Sequence, residues 1–198
     1  MRIFITVLVL ILSLQSITKA DDIRDFQIEG MSIGDNLFNF ITKKEFENAS
    51  KDSRIHYHKD NKFAELLFYK LQKFKTYDGV RVIWKPKDKD YKLYGISGVV
   101  YFRNNFQDCE NKKKTIVNEI SKFFVETKKI DRGKVIHTAD KTGNSYFNEI
   151  YFPIDGFDQI RIYCVNWSKK KEKEENYWDA LNVIIGGKEF GKFLQTAY

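Results

Sequence analysis

The side chains able to do chemistry are few, and their spacing argues against most of the chemistries they could support. His56-Tyr57-His58 puts two imidazoles two residues apart. On an extended strand such residues point the same way, so both rings could meet one metal beside Asp52 or Asp60. A metal site takes three or four ligands, and the remaining histidine, His137, lies far along the chain. The pair therefore reads as loop histidines. Ser97 sits in Gly95-Ile96-Ser97-Gly98, which lacks the spacing of a nucleophile elbow and reads as a packing serine within a strand. Lys141-Thr142-Gly143-Asn144 has half of a phosphate loop, without its first glycine or a following helix, and reads as a turn. Asp and Glu are scattered through turns and helix surfaces, so no carboxylate pair stands out. Asn48-Ala49-Ser50 and Asn166-Trp167-Ser168 fit a glycosylation sequon, which matters only in a eukaryotic secretory pathway. No catalytic residue, metal or cofactor is expected. His137, Asp140 and Lys141 stand in a connection with no evident structural need for them, so their position relative to any cleft separates enzyme from binder.

The two cysteines carry a stronger signal. Cys109, Ile116, Ile120, Phe123 and Thr127 recur at helical spacing, and Cys164 alternates with Ile160 and Ile162 on one face of a strand. If that stripe packs on that strand face, the sulfurs share a core layer. A Cys109–Cys164 bond would stabilise by roughly 3–4 kcal/mol on the chain-entropy model. Pairing requires an oxidising compartment, and the N-terminus supplies the route to one. Arg2 precedes an apolar run from Ile3 to Leu14, and Thr18-Lys19-Ala20 offers a small-residue cleavage site. The run is about 12 residues against the roughly 20 of a spanning helix, so residues 1–20 read as a signal peptide cleaved between Ala20 and Asp21. No transmembrane segment is expected after cleavage.

Residues 21–198 then form one domain, long enough for a sizeable core. Aromatic content of 16% favours strands and bulky packing. The formal charge of +7 falls to +5 when Arg2 and Lys19 leave with the signal. The surplus is diffuse. Lys112-Lys113-Lys114 and Lys169-Lys170-Lys171 have acids close by, the pattern of a solvated face. Nucleic acid is not expected as a partner of an exported, periplasmic or secreted protein. Another protein or an anionic envelope polymer is.

Along the chain, Asp25 to Glu29 reads as extended, and Ser32 as the cap of a short helix with Leu37, Phe38 and Ile41. Thr42-Lys43-Lys44-Glu45 is a capping box opening a second short helix. Residues 48–61 read as irregular. Residues 63–74 fit helix or strand, with strand favoured because Tyr77-Asp78-Gly79 turns into the clearer strand of Val80, Val82 and Trp84. Tyr91 to Phe102 reads as a long strand, and Asn104 or Asn105 caps a long helix over Phe106 to Thr127. Asp131-Arg132-Gly133 ends the connection. Strands follow at Tyr146 to Ile154, Gln159 to Trp167 and Trp178 to Ile185, with Ser168 to Asn176 a charged loop and an amphipathic helix at the end. This spells α+β, a single domain with an antiparallel sheet of about six strands. One long helix packs on a face of the sheet and short helices stand at both ends. The order hints at an internal repeat, without matching residues to prove it.

Asp25-Phe26-Gln27-Ile28-Glu29-Gly30-Met31-Ser32-Ile33-Gly34-Asp35 resembles the opening of a family of small uncharacterised exported proteins from marine bacteria, where a segment similar to EGMSIGDSLLDY follows the signal. Tyr94-Gly95-Ile96-Ser97-Gly98, Cys109, His137-Thr138-Ala139-Asp140-Lys141 and Cys164 extend the resemblance over most of the mature chain. It implies export and brings no activity with it. The opening also resembles small outer-membrane assembly lipoproteins and β-lactamase-inhibitor-like folds, but no lipobox cysteine stands at the cleavage site. The expectation is a non-catalytic binding or assembly module of the bacterial envelope. The alternative is a small periplasmic hydrolase or enzyme inhibitor whose site is assembled from distant residues.

Overall fold

Alternating apolar residues draw this chain into strands whose one face is dry and whose other face is mixed. The computed structural model describes residues 22–197 apart from 54, 104, 125 and 126; the Ala20–Asp21 cleavage site lies outside them. The strands are β1 (His56–Tyr57), β2 (Ala64–Tyr69), β3 (Gly79–Trp84), β4 (Gly95–Tyr101), β5 (Ile130–Ile136), β6 (Tyr146–Pro153), β7 (Gln159–Asn166) and β8 (Ala180–Gly186). The helices are α1 (Lys43–Asp52), α2 (Phe106–Phe123), α3 (Lys169–Glu175) and α4 (Lys188–Ala197). All pairings are antiparallel in one sheet of order β1-β2-β3-β4-β8-β7-β6-β5. The first four strands form a meander, α2 crosses over, and the last four form a second meander that returns to the middle. β4 and β8 meet there.

The α+β class and the antiparallel sheet match expectation, but the sheet has eight strands instead of about six. The two extra strands carry no core pattern. β1 has two exposed residues, and β5 runs through Asp131-Arg132-Gly133 along an exposed edge with a register shift at Asp131/Gly133. An edge strand needs no buried face, so alternation is missing. Residues 169–175 form a helix, capped by Ser168 and closed by Asn176 in the left-handed conformation, where a charged loop was expected. The capping box of Thr42 and Glu45 forms as read. Ser32 caps no helix. It makes a turn with Asp35, and Asn36 caps the single 3-10 turn Leu37–Asn39.

The core lies between the sheet and α2. Val82, Trp84, Ile96, Ile160, Ile162 and Leu181 are buried there with Ile116, Val117 and Ile120. Cys109 and Cys164 are fully buried and disulfide-bonded, with Cα atoms 6.0 Å apart. The N-terminal segment locks onto this layer. Ile28 and Met31 bridge each other around Gly30 at φ +82°, and the Glu29 carboxylate accepts backbone N–H bonds from Lys75, Thr76 and Tyr77. The Tyr77 ring occupies the room left by Gly98, where an added Cβ would stand 2.3 Å from Cε1. Burial, aided by the Glu29 charge, pushes the Tyr77 hydroxyl up to about 12.

The two meanders repeat one motif. Glu65-Leu66-Leu67-Phe68 corresponds to Glu149-Ile150-Tyr151-Phe152, and Val80-Arg81-Val82-Ile83 to Ile160-Arg161-Ile162-Tyr163. The registers agree: Glu65 faces Ile83 and Leu67 faces Arg81, while Glu149 faces Tyr163 and Tyr151 faces Arg161.

Removing the bond tests this packing. Replacing Cys109 and Cys164 together by alanine should lower unfolding stability by about 4 kcal/mol, measured by urea titration. Thiol counting on the denatured, unreduced wild type should find none free. An unchanged urea midpoint in the variant would show that the helix needs no tie to β7.

Candidate functional site

Side chains on adjacent positions of each strand face opposite ways, so the core face fixes what the other face presents. Across the sheet, one row on that second face runs Leu67, Arg81, Ser97, Ile184, Arg161, Tyr151. The next row runs Tyr69, Gly79, Val99, Asn182, Tyr163, Glu149. The main helix packing, α1 against β2 and α2 against β7 and β8, is on the core side. α4 seals one rim of the second face, its Phe190 packing with Ile83 over Gly95 and Gly186. At the opposite rim Val99, Val165 and Ala180 form a small apolar floor, flanked by Tyr101 and Phe147. Aromatic contacts extend both flanks: Tyr69 to Tyr101 to Trp178 on one, Tyr163 to Phe147 to His137 to Trp167 on the other.

Between the rims runs a charge ladder. The Glu149 side chain is fully buried, held by Arg161 Nε and by Arg132 at 3.3 Å. In the other half Glu65 lies 3.7 Å from Arg81 Nε and 3.3 Å from His58 Nε2. Burial pushes the Glu65 carboxyl up, but His58 and the Arg81 guanidinium outweigh it and leave it below the ordinary carboxylate value. Burial raises the Tyr163 hydroxyl, against the pull of Arg81 and Arg161. Ser97, 1% exposed, has no hydrogen-bond partner for its Oγ among the described residues.

The residues singled out by sequence disperse. His56 and His58 do approach each other, ring centroids 5.2 Å apart, but His58 packs edge-on to Phe190 and Phe193. Among the described residues no group of three or more His, Cys, Asp or Glu is placed to hold a metal. Asp140 accepts hydrogen bonds from the Ser145 and Thr142 hydroxyls and from their backbone N–H groups, and Ser145 Oγ in turn accepts the Ser168 N–H. The Ser145 and Thr142 hydroxyls hold the Asp140 carboxyl well below its ordinary value. The stretch from 140 to 145 is thus a turn clamped on a carboxylate, and Thr142 and Gly143 belong to it. His137 packs at a tilt on Trp167, ring centroids 4.3 Å apart, and its Nδ1 accepts the Ala139 N–H. Burial lowers its pKa, with Asp140 opposing and Lys171 adding to the effect. Asp140 is thus taken up by the turn and makes no side-chain hydrogen bond to His137.

Two clefts stand at the edges. One of about 340 Å³ is lined by Asp22, Arg24, Lys92, Tyr94, Asp158 and Lys188 among others. Burial, with Asp155 and Asp22 near by, raises the Asp158 carboxyl. The other, about 410 Å³, lies between Trp178, Arg103 and α3. Neither is lined by His137, Asp140 or Lys141. The described residues include no helix long and apolar enough to cross a membrane. Comparison with protein-family models, with curated proteins and with solved structures finds no match to this chain.

The Arg–Glu ladder leaves no local trace in the sequence because its members are dispersed over five strands, β2, β3, β5, β6 and β7. The signal available was the repeated Glu-x-aromatic/aliphatic and Arg-x pattern on the polar positions of β2, β3, β6 and β7.

A depressed carboxyl makes stability depend on pH with a definite sign. Asp140 contributes fully above the ordinary carboxylate range, and its contribution fades as pH falls through that range toward its lower folded value. Urea midpoints of wild type and Asp140→Asn should therefore differ at pH 7, and the gap should start to narrow only near about pH 4 and go on narrowing as the pH is lowered further. A gap independent of pH would contradict a charge-dependent clamp.

Proposed function

We propose that this protein is an exported, non-catalytic binding module of the bacterial envelope, and that the second face of its sheet is the binding surface. One observation carries the reading: the sheet buries its apolar face under α1 and α2 and leaves a face of tyrosines, arginines and glutamates between two aromatic flanks. Tyrosine and arginine are the residues that supply most binding energy at interfaces, because each offers large area with a directional polar end. Tyr69 is exposed, and Arg81 and Arg161 are partly so. The disulfide supports export, since such bonds persist in oxidising compartments. Asp140 is taken up by its own turn and Ser97 lies in a central strand away from His137, which favours binding over hydrolysis. The partner is a protein or an anionic envelope polymer, in keeping with the basic mature chain.

A photo-crosslinking residue at Tyr69 should give adducts in the native envelope, while the same residue at Lys114, exposed on α2, should give none. Adducts from Lys114 alone would place the partner on the helical side. Turnover in a hydrolase panel that disappears with His137→Ala would replace the binding reading with an enzymatic one.

A further inference from the structure

The two halves of the ladder share one arrangement. In each, the arginine directs its Nε to the glutamate two positions along the neighbouring strand, Arg81 to Glu65 and Arg161 to Glu149. Among the described residues, no protein acceptor hydrogen-bonds the terminal Nη nitrogens of either arginine. Both side chains keep access to solvent, 29% for Arg81 and 21% for Arg161. They lie in one row with Ser97 and Ile184 between them, and the Ser97 Oγ in that floor is buried without a partner. Two guanidinium groups with free terminal donors in one row are what bound oxyanions would satisfy, with the buried Ser97 marking the floor between them. Charge points the same way. Arg81, Arg132 and Arg161 stand against Glu65 and Glu149, so the ladder keeps a positive surplus after its internal pairing.

We propose that Arg81 and Arg161 form a twin carboxylate-recognition site for an extended acidic segment of a partner protein. The inference rests on the sheet-face reading above and adds the chemistry of the partner. Three strand spacings separate the two arginines, about 14 Å between backbones. An extended segment covers that span in about four residues at roughly 3.3 Å each, so carboxylates four positions apart would meet one arginine each. Each guanidinium offers a fork of N–H donors to a carboxylate, a geometry that lysine would not reproduce. Tyr69 and Tyr101 on the same face flank the row and would pack on the residues between the acids.

The test is an NMR titration with the capped peptide Gly-Glu-Ser-Thr-Ser-Glu-Gly, alongside its glutamine counterpart and inorganic polyphosphate. Saturable shifts are expected at the Ser97 amide and at the Arg81 and Arg161 Nε–H, with the glutamine peptide silent. Arg81→Gln should weaken binding at least tenfold. Arg161→Gln alone leaves the buried Glu149 charge short of a partner and could unfold the sheet, so the informative variant is Glu149→Gln with Arg161→Gln, also expected to lose tenfold. Arg103→Gln, outside the row, should bind as wild type. Equal binding of the glutamine peptide, or wild-type affinity in both row variants, would overturn the proposal. Polyphosphate binding at the same residues with equal affinity would overturn its carboxylate specificity. Crosslinking from Tyr69 without peptide binding would sink this inference alone, whereas peptide binding with crosslinks only from Lys114 would sink the broader reading.

Discussion

The pairing of β4 with β8 is the constraint on which the rest depends. It joins two four-stranded meanders along seven residue pairs, from Gly95 opposite Gly186 to Tyr101 opposite Ala180. Without it each meander would expose a long unpaired edge made of its most apolar strand. The seam is also thin where it has to be. Gly95 and Gly186 lie opposite each other and make room for Phe190 of α4 on one face, and Gly98 makes room for Tyr77 on the other. A side chain at Gly95 would crowd Ile83 and Phe190 of α4, and one at Gly98 would displace the Tyr77 ring, at a cost of about 1–3 kcal/mol for each overpacked site.

From that seam follows the division of labour between faces. α2 must cross from the end of β4 to the far edge at β5, and it does so over the apolar face, where Cys109 is tied to Cys164 of β7. The crossing helix and α1 therefore shield one side, and the pleat sends Arg81, Ser97, Arg161 and Glu149 to the other. Because the seam relates two copies of one motif, the arginines fall symmetrically about Ser97 and Ile184. A fully buried carboxylate such as Glu149 is costly unless paired, and it is held by two arginines. That arrangement fixes the direction of Arg161 before any partner arrives.

What the sequence made legible was whatever local physics dictates. The capping box at Thr42, the turn at Tyr77-Asp78-Gly79, the alternation of β3, β6, β7 and β8, and the helical stripe on Cys109, Ile116 and Ile120 all predicted their elements. The disulfide followed from two such faces. Residues 63–74 were ambiguous by period, and pairing with β3 decided for strand over Ala64–Tyr69, the rest turning back toward β3. The strand at 130–136 and the helix at 169–175 escaped because neither buries an apolar face, so neither leaves a periodic trace. The opening segment around Glu29 is the most distinctive stretch of the chain, and its work is structural: a carboxylate capping three backbone N–H groups 46 to 48 residues away. The candidate site was illegible for a different reason. Its members are spaced along five strands, and only the register brings them together.

The central claim is that helices cover one side of this sheet, while tyrosine and arginine side chains on the other side reach solvent. Phe68 and Tyr69 test it most directly, since they are neighbours in sequence and face opposite ways: Phe68 is fully buried and Tyr69 is 37% exposed. Hydroxyl-radical footprinting of the native protein should oxidise Tyr69 readily and leave Phe68 unmodified, with Phe152 equally protected on the dry side. Comparable protection of Tyr69 and Phe68 would mean that the second face is covered, and oxidation of Phe68 and Phe152 would mean that the helices do not pack where this account requires.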